Sequence, residues 1–183
     1  MEFVFGYASL AWDGCCPVHQ AELRGARRVW GVAMDNTVDL VDDAKKRGAK
    51  ILSGGKRSDR FDKGYFFEPT VLTNVSGEMK LMVEEPFAPV MPVLDFSKLD
   101  DVIRAANNTR YGLAAYVFTN DLTVAWKMAE GLEAGIIGIN EPVPAVPQCP
   151  FGGMKESGMG RELGHEGLEA YLETKYVAIR LRD

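Results

Sequence analysis

The sequence predicts an α/β fold in which a largely parallel sheet is flanked by helices and followed by an edge strand at the C-terminus. Helical and strand patterns alternate along the chain after the first forty residues. The connections between them are short and carry glycine, asparagine or proline, which punctuate secondary structure. The last residues, 174–181, alternate polar with apolar side chains, as expected for a strand with one buried face.

The first predicted elements lie between residues 38 and 96. A helix over 38–47 ends at Gly48, because a glycine can take the left-handed conformation that closes a helix. Pro92 cannot donate a ladder hydrogen bond, so the strand that contains it should begin there or lie at a sheet edge. Strands are predicted at 49–52, 70–73 and 90–96.

Two amphipathic helices follow in the second half. Ser97 and Asp100 approximate a capping box for a helix that ends at Asn107. Asp121 should cap another helix, whose predicted apolar face consists of Leu122, Ala125, Trp126, Ala129 and Leu132. The remaining predicted elements are strands at 114–118 and 135–139, a helix over 160–173 and the terminal strand 174–181.

The composition argues against several classes of protein. Hydrophobic residues make up 46% of the 183 residues and charged residues 26%, which suits a soluble globular domain. The net charge of -5 and the lack of a large basic cluster argue against a nucleic-acid partner. The longest nearly uncharged stretch, 134–154, contains Glu141 and four prolines, so no membrane partner is expected.

The same sequence features predict a cytoplasmic protein. An acidic residue, Glu2, stands where a signal peptide would need positive charge. Three cysteines, with Cys15 and Cys16 adjacent, do not form an even disulfide framework and so indicate a reducing compartment. Together with His19 these two cysteines are too few and too close for a four-ligand zinc site, so no metal is expected.

Three motifs carry the strongest functional signal. Residues 149–164 hold five glycines, a density that fixes an unusual backbone path leading into a helix. With the segments 84–90 and 111–119, this stretch resembles the C-terminal part of an NAD(P)-dependent aldehyde dehydrogenase. The resemblance covers about 41–181 and implies the C-terminal half of the family's catalytic domain together with its oligomerisation strand.

The resemblance implies an activity and also a limit to it. Enzymes of this family attack an aldehyde with a thiolate and pass hydride to NAD or NADP. Their nucleophilic cysteine, general-base glutamate and most of their cofactor domain lie upstream of the part that matches here. No residue is therefore assigned a catalytic role, and the chain alone should be inactive. Cys149 precedes a proline and has no adjacent base, so we expect an inert, packed cysteine.

Two residues match the family's cofactor-binding positions. Glu85 matches the residue that binds the ribose hydroxyls of NAD or NADP, and a carboxylate can accept both hydroxyl protons. Phe87 matches the residue that lies against the nicotinamide. Ala88 stands where the family normally has glycine. The alternative is a turn built on Pro86 and Pro89 with Phe87 in the core, and in either case NAD(P) binding to this chain alone should be weak or absent.

A second group of residues matches the aldehyde entrance of the family. Asn140 and Glu141 begin a loop that runs to Gln148, and Phe151 stands where the family turns the chain back beneath it. The resemblance is strongest to semialdehyde dehydrogenases, although Ala145 and Val146 offer no hydroxyl to a substrate carboxylate. The alternative is a surface loop stiffened by its prolines.

The first forty residues resemble a different family. The loop Gly6, Tyr7, Ala8, Ser9 and Leu10 is similar to the start of a gamma-glutamylcyclotransferase-like protein, in which such a loop binds a substrate carboxylate through backbone amides. Ala8 replaces a glycine of that motif, and the catalytic glutamate of that family has no counterpart. The predicted division is therefore 1–40 and 41–183. An unrelated N-terminal extension is the alternative.

The terminal strand 174–181 implies a partner. In the aldehyde dehydrogenase family the corresponding strand joins the sheet of a neighbouring subunit, so a homo-oligomer is expected. Two functions from other classes remain open beside the dehydrogenase-family member: a cyclotransferase-like binding module, and a non-enzymatic interaction protein that acts through this strand.

Overall fold

The computed structural model describes residues 27–28, 31–61 and 63–181, and it confirms an α/β architecture. The chain divides after Phe96 into two compact units. In order, the elements are β1 Arg27–Arg28, α1 Gly31–Lys46, β2 Lys50–Ser53, β3 Phe66–Phe67, β4 Thr70–Thr73, α2 Lys80–Val83, β5 Val90–Pro92, α3 Leu99–Asn107, β6 Tyr111–Gly112, β7 Ala114–Val117, α4 Leu122–Gly131, β8 Ile136–Ile139, β9 Met154–Lys155 and α5 Glu166–Glu169.

The first unit packs the long helix α1 with a three-stranded sheet in the order β2-β4-β5. β2 runs antiparallel to β4, and β4 runs parallel to β5. Separately, β1 pairs with β3 in antiparallel register. Apolar side chains from α1 and from the strands exclude water from a common core, which contains Met34, Leu40, Val41, Ala44, Phe67, Leu72, Met79, Leu81, Ala88 and Val90.

The limits of α1 follow partly from the sequence. The helix begins at Gly31, seven residues before the predicted start, and ends at Lys46. Gly48 has φ 97° and confirms the predicted left-handed helix end. The prediction that the strand with Pro92 lies at a sheet edge is also confirmed. Pro92 pairs with Leu72 on one side of β5, and no described strand lies on the other side.

Polar contacts join α1 to α2. The Asp43 carboxylate accepts from the backbone N–H of Lys80 at 2.9 Å and from Nε of Arg47 at 2.9 Å. These contacts lower the pKa of Asp43, the backbone hydrogen bond from Lys80 most of all. Nζ of Lys80 lies 2.6 Å from a carboxylate oxygen of Asp39, which raises the pKa of the lysine. All four charged side chains therefore support the same helix junction.

The second unit contains the parallel pair β7 and β8, in register from Ala114 opposite Ile136 to Val117 opposite Ile139. β6 and β9 form an antiparallel pair. Helix α3 precedes β6, and α4 connects β7 to β8. Asp121 caps α4 as predicted, and its carboxylate accepts from the N–H groups of Thr123 at 2.8 Å and Val124 at 3.1 Å.

Two helix predictions in this unit are wrong in detail. The N-cap of α3 is Lys98, which makes no side-chain capping bond, so Ser97 lies one residue too early to cap the helix. On α4 the side chains of Leu122 and Trp126 are 80% and 64% exposed. The buried stripe contains Ala125, Met128 and Leu132, whose spacing of three and four residues also fits a helical face.

The predicted C-terminal helix is much shorter than expected. Only Glu166–Glu169 is helical, because Gly160 and Gly164 take φ values of 76° and 59° that interrupt a right-handed helix. The predicted terminal strand is not confirmed, since residues 174–181 are exposed and pair with no strand among the described residues. The largely parallel sheet is not confirmed, since two described strand pairs are parallel and three are antiparallel. No described helix is long and apolar enough to span a bilayer.

Candidate functional site

In the first unit, the predicted cofactor residues lie on a segment of tight turns between α2 and β5. The N–H of Ala88 donates to the carbonyl of Pro86 at 2.7 Å, and the N–H of Val90 donates to the carbonyl of Ala88 at 2.7 Å. Each bond closes a three-residue turn. Such consecutive turns fix the direction of the side chains between them.

These turns make burial alternate along the segment. Pro86 and Ala88 are buried, whereas the ring of Phe87 is 53% exposed and Glu85 is half-buried. The alternative that placed Phe87 in the core is therefore wrong. Among the described residues no hydrogen bond or ion pair engages the Glu85 carboxylate, which leaves its oxygens able to accept from a ligand. The pair offers an anionic acceptor and an apolar ring from one rigid segment.

In the second unit, one glycine just before β8 and one within it allow close contact with neighbouring backbone. A Cβ atom at Gly135 would collide with the carbonyl oxygen of Gly152. A Cβ atom at Gly138 would collide with the carbonyl oxygen of Glu141. Only glycine fits at either position without movement of the backbone, so β8 brings two loops against itself.

The first of these loops, residues 140–148, is here called the proline loop. Asn140 starts it with φ 53°, a left-handed conformation that asparagine tolerates. Its N–H donates to the carbonyl of Val117 at 2.8 Å, and its side chain binds the backbone of Thr119. The Glu141 carboxylate accepts from the N–H of Val143 at 2.8 Å. Asn140 and Glu141, the two lining residues predicted at the start of this loop, thus both use their side chains to hydrogen-bond backbone groups.

The second loop, residues 149–164, is here called the glycine loop. Phe151 and Glu162 exchange two backbone hydrogen bonds of 2.7 Å, so the loop is closed at its base. The guanidinium of Arg161 donates to the carbonyls of Gly153 at 2.9 Å and Gly160 at 2.7 Å. The N–H of Gly164 donates to the carbonyl of Pro147 at 3.0 Å, which joins the glycine loop to the proline loop.

The predicted substrate-lining residue Phe151 lies at the base of the glycine loop. It is half-buried and pairs with Glu162, where the chain turns back. Ser157 anchors the same loop to β6, because its hydroxyl accepts from the N–H of Gly112 at 2.8 Å. The loop is thus held from both sides before any ligand binds.

The sequence patterns did not identify a polar cluster of Lys155, Glu133 and Asn107, which joins the glycine loop to the end of α3 and the residues after α4. Nζ of Lys155 donates to the carbonyls of Asn107 at 2.8 Å and Thr109 at 3.1 Å, and lies 2.6 Å from a carboxylate oxygen of Glu133. The Asn107 side chain in turn binds the carbonyl of Gly131 at 2.7 Å and the N–H of Glu133 at 2.9 Å. A lysine two residues after the pair Gly152-Gly153 was the available signal.

Other predicted features have different outcomes. Cys149 is a free, exposed thiol, so the expectation of a packed cysteine is wrong, and its N–H donates to the carbonyl of Val146 at 3.1 Å. No cluster of three or more potential metal ligands occurs in the part of the chain that the structure describes. The cyclotransferase-like loop 6–10 and the residues Cys15, Cys16 and His19 lie outside the described residues.

Comparison with known proteins identifies the family. The sequence model described as "Aldehyde dehydrogenase family" matches residues 31–177. The chain therefore belongs to the aldehyde dehydrogenase family, a family of oxidoreductases. The match begins before the predicted boundary near residue 40, and α1 runs through that boundary without a break.

Similar curated proteins agree with this assignment. Aldehyde dehydrogenase 1A1 of Mesocricetus auratus is 49% identical over 147 residues, which cover 80% of this chain and 29% of the relative. A probable succinate-semialdehyde dehydrogenase [NADP(+)] of Sinorhizobium fredii is 48% identical over 139 residues, or 76% of this chain and 28% of that protein. The chain thus spans about three tenths of the length of these relatives.

Solved structures show the same fold. An aldehyde dehydrogenase from Bacillus cereus in complex with NAD⁺ superposes with a TM-score of 0.78 at 40% identity, covering 84% of this chain and 31% of that chain. A betaine aldehyde dehydrogenase from Staphylococcus aureus, also with NAD⁺, gives a TM-score of 0.75 at 44% identity, with coverages of 80% and 29%.

The close contact at β8 predicts the effect of adding one methyl group. Gly135→Ala should destabilise the second unit by about 1–3 kcal/mol, because the new methyl meets a backbone carbonyl that cannot rotate away. Gly131→Ala, in the same unit, is the control, since its methyl would lie 3.1 Å from the movable side chain of Ile103. Urea unfolding measures both, and an equal stability of the two variants would contradict the assigned contact.

Proposed function

We propose that this chain supplies the C-terminal part of an aldehyde-oxidising active site that works with NAD or NADP. The observation that carries the proposal is the match to the family over residues 31–177, within which Glu85 and Phe87 present an available carboxylate and an exposed ring. The joined proline and glycine loops support the proposal as a rigid wall for a substrate entrance. Bound NAD(P) supplies the hydride acceptor of the reaction.

In this proposal the chain's own residues bind and orient the cofactor and the aldehyde. The Glu85 carboxylate accepts hydrogen bonds from the two ribose hydroxyls, which fixes the sugar relative to the segment 84–90. The Phe87 ring covers one face of an aromatic ring system and excludes water there. Phe151 and the proline loop border the aldehyde, and Asn140 and Glu141 hold that loop in shape.

The substrate class follows from what the proline loop offers. Val143 and Val146 are exposed and apolar, and Glu141 is the loop's only charged side chain. A loop of this kind attracts an apolar aldehyde and offers neither cation nor hydroxyl to a carboxylate. We therefore propose an uncharged aldehyde in preference to a semialdehyde that carries an acid group, although one similar protein is named a succinate-semialdehyde dehydrogenase.

The chain alone should not turn over. Cys149 is exposed and its N–H donates to the carbonyl of Val146, and the resemblance places the family's nucleophile upstream of the matched part. Incubation of the purified 183-residue chain with NAD or NADP and short aliphatic aldehydes should give no increase in reduced-cofactor absorbance. Turnover that disappears in Cys149→Ser would show that the nucleophile was assigned wrongly.

The cofactor proposal predicts weak binding that depends on one carboxylate. We expect NAD to shift the amide signals of Phe87 and Ala88 only at millimolar concentration, because the resemblance places most of the cofactor domain upstream of the matched part. Glu85→Ala should weaken this binding about tenfold or more, since it removes charge-assisted hydrogen bonds. Glu84→Ala, which removes the exposed neighbouring carboxylate, is the control. Equal titrations for wild type and Glu85→Ala would refute the role of Glu85.

The exposed C-terminal segment supports a further part of the proposal, a homo-oligomer. Residues 174–181 keep an alternating pattern, yet Tyr176, Ile179 and Leu181 are 89%, 78% and 89% exposed. A strand with unpaired backbone and exposed apolar side chains is stabilised by pairing with another chain. We expect light scattering to show an oligomer for the full chain and a smaller species after removal of the last ten residues. A strictly monomeric full-length chain would contradict this expectation.

A further inference from the structure

The hydrogen bonding between β7 and β8 continues beyond the last paired residues. The N–H of Ile136 donates to the carbonyl of Leu113 at 3.1 Å, and four residues later the N–H of Asn140 donates to the carbonyl of Val117 at 2.8 Å. Bonds in a parallel ladder are evenly spaced along both strands. The next bond of this ladder would run from the N–H of Thr119 to a carbonyl at position 140.

The side chain of Asn140 makes that bond in place of its backbone. Its Oδ1 accepts from the N–H of Thr119 at 3.0 Å, and its Nδ2 donates to the carbonyl of Thr119 at 2.9 Å. A carboxamide carries the same donor and acceptor as a peptide group, so it can end the ladder as a continued strand would. Meanwhile the φ of 53° turns the main chain of Asn140 away from the strand direction.

Further contacts link the pair of Asn140 and Thr119 to the start of α4 on one side and to the proline loop on the other. On the β7 side, the Thr119 hydroxyl accepts from the N–H of Asp121 at 3.1 Å, and Asp121 caps α4. On the β8 side, the Glu141 carbonyl lies against Gly138, and the Glu141 carboxylate accepts from the N–H of Val143. The first residues of the proline loop are therefore fixed by the position of Asn140.

We infer that Asn140 is a positioning residue, which sets the direction of the proline loop through its side-chain pair with Thr119 and does not itself bind substrate. The inference rests on the proposed function only for the use of that loop as a substrate wall. The carboxamide has its oxygen and one N–H committed to Thr119, so its loss should release the loop without removing a group that the aldehyde contacts.

Hydrogen exchange of the full chain tests the inference without any need for turnover. Asn140→Gly keeps a residue that adopts positive φ and removes only the carboxamide. The amides of Thr119 and Val143 should exchange about ten- to a hundredfold faster in this variant, because two hydrogen bonds are lost. The amides of the ladder before Val117 should keep their exchange rates.

Each other result counts against the inference. Faster exchange at Thr119 with unchanged exchange at Val143 would mean that Asn140 closes the strand ends without positioning the loop. Unchanged exchange at both amides would mean that the pair with Thr119 does not form in solution. Faster exchange throughout the second unit would mean that Asn140 supports the whole fold, and the inference would again fail.

A second variant supplies a readout that a purely structural role would not change. In Asn140→Asp, a carboxylate can accept from Thr119 but cannot donate to its carbonyl, whereas the protonated acid can do both. The protection of the Thr119 amide in Asn140→Asp, relative to Asn140→Gly, should therefore increase as the pH falls from about 7 to about 3. Asp121 and Glu141, the acidic groups beside this position, are present in both variants, so their titration cancels. Equal protection of the two variants at both pH values would overturn the inference.

Discussion

The close approach of backbone carbonyls to Gly135, just before β8, and to Gly138, within β8, is the constraint on which the second unit depends. Gly135 receives the carbonyl of Gly152, and Gly138 receives the carbonyl of Glu141. The glycine loop thus touches the chain where β8 begins, and the proline loop touches β8 itself. A side chain at either glycine would separate a loop from the strand, and the wall that we assign to the substrate entrance would lose its shape.

Polar side chains satisfy the backbone hydrogen-bonding groups of these two loops, which regular secondary structure does not reach. Loops have no ladder to satisfy their N–H and C=O groups, and unsatisfied groups are costly when water is excluded. Ser157, Arg161 and Lys155 supply donors and acceptors to the backbone of the glycine loop or of the segments beneath it. Rigid loops of this kind can present binding groups with little conformational entropy to lose on association.

The sequence contains enough local information to predict the elements whose ends are marked by one residue. Gly48 and Asp121 determine a helix end and a helix start by their own chemistry, and both predictions are confirmed. The α/β class and the family also followed from patterns that lie along the chain. The Ser97 capping box was wrong because helix starts depend on the local backbone path, which shifted by one residue.

Predictions that required knowledge of distant contacts were less successful. The exposure of Cys149 and Trp126 depends on which surfaces meet in three dimensions, and the local patterns of these segments gave the opposite expectation. The role of Asn140 was similarly inaccessible, because Thr119 lies 21 positions earlier in the chain. Single-sequence patterns indicate residue types and spacing, whereas hydrogen-bond partners so far apart are decided by the fold.

The outer edge of β5 has a consequence for aggregation. The N–H of Val93 points to β4, where it binds Leu72 at 2.8 Å, so in an alternating strand Pro92 and Val90 direct their nitrogens outward. Pro92 has no hydrogen to donate, and the N–H of Val90 is already bound by Ala88. An incoming strand from another molecule would find no free donor at either position. This outer edge therefore offers no free donor at either position for amyloid-like extension, and it needs no charged residue to exclude another strand there.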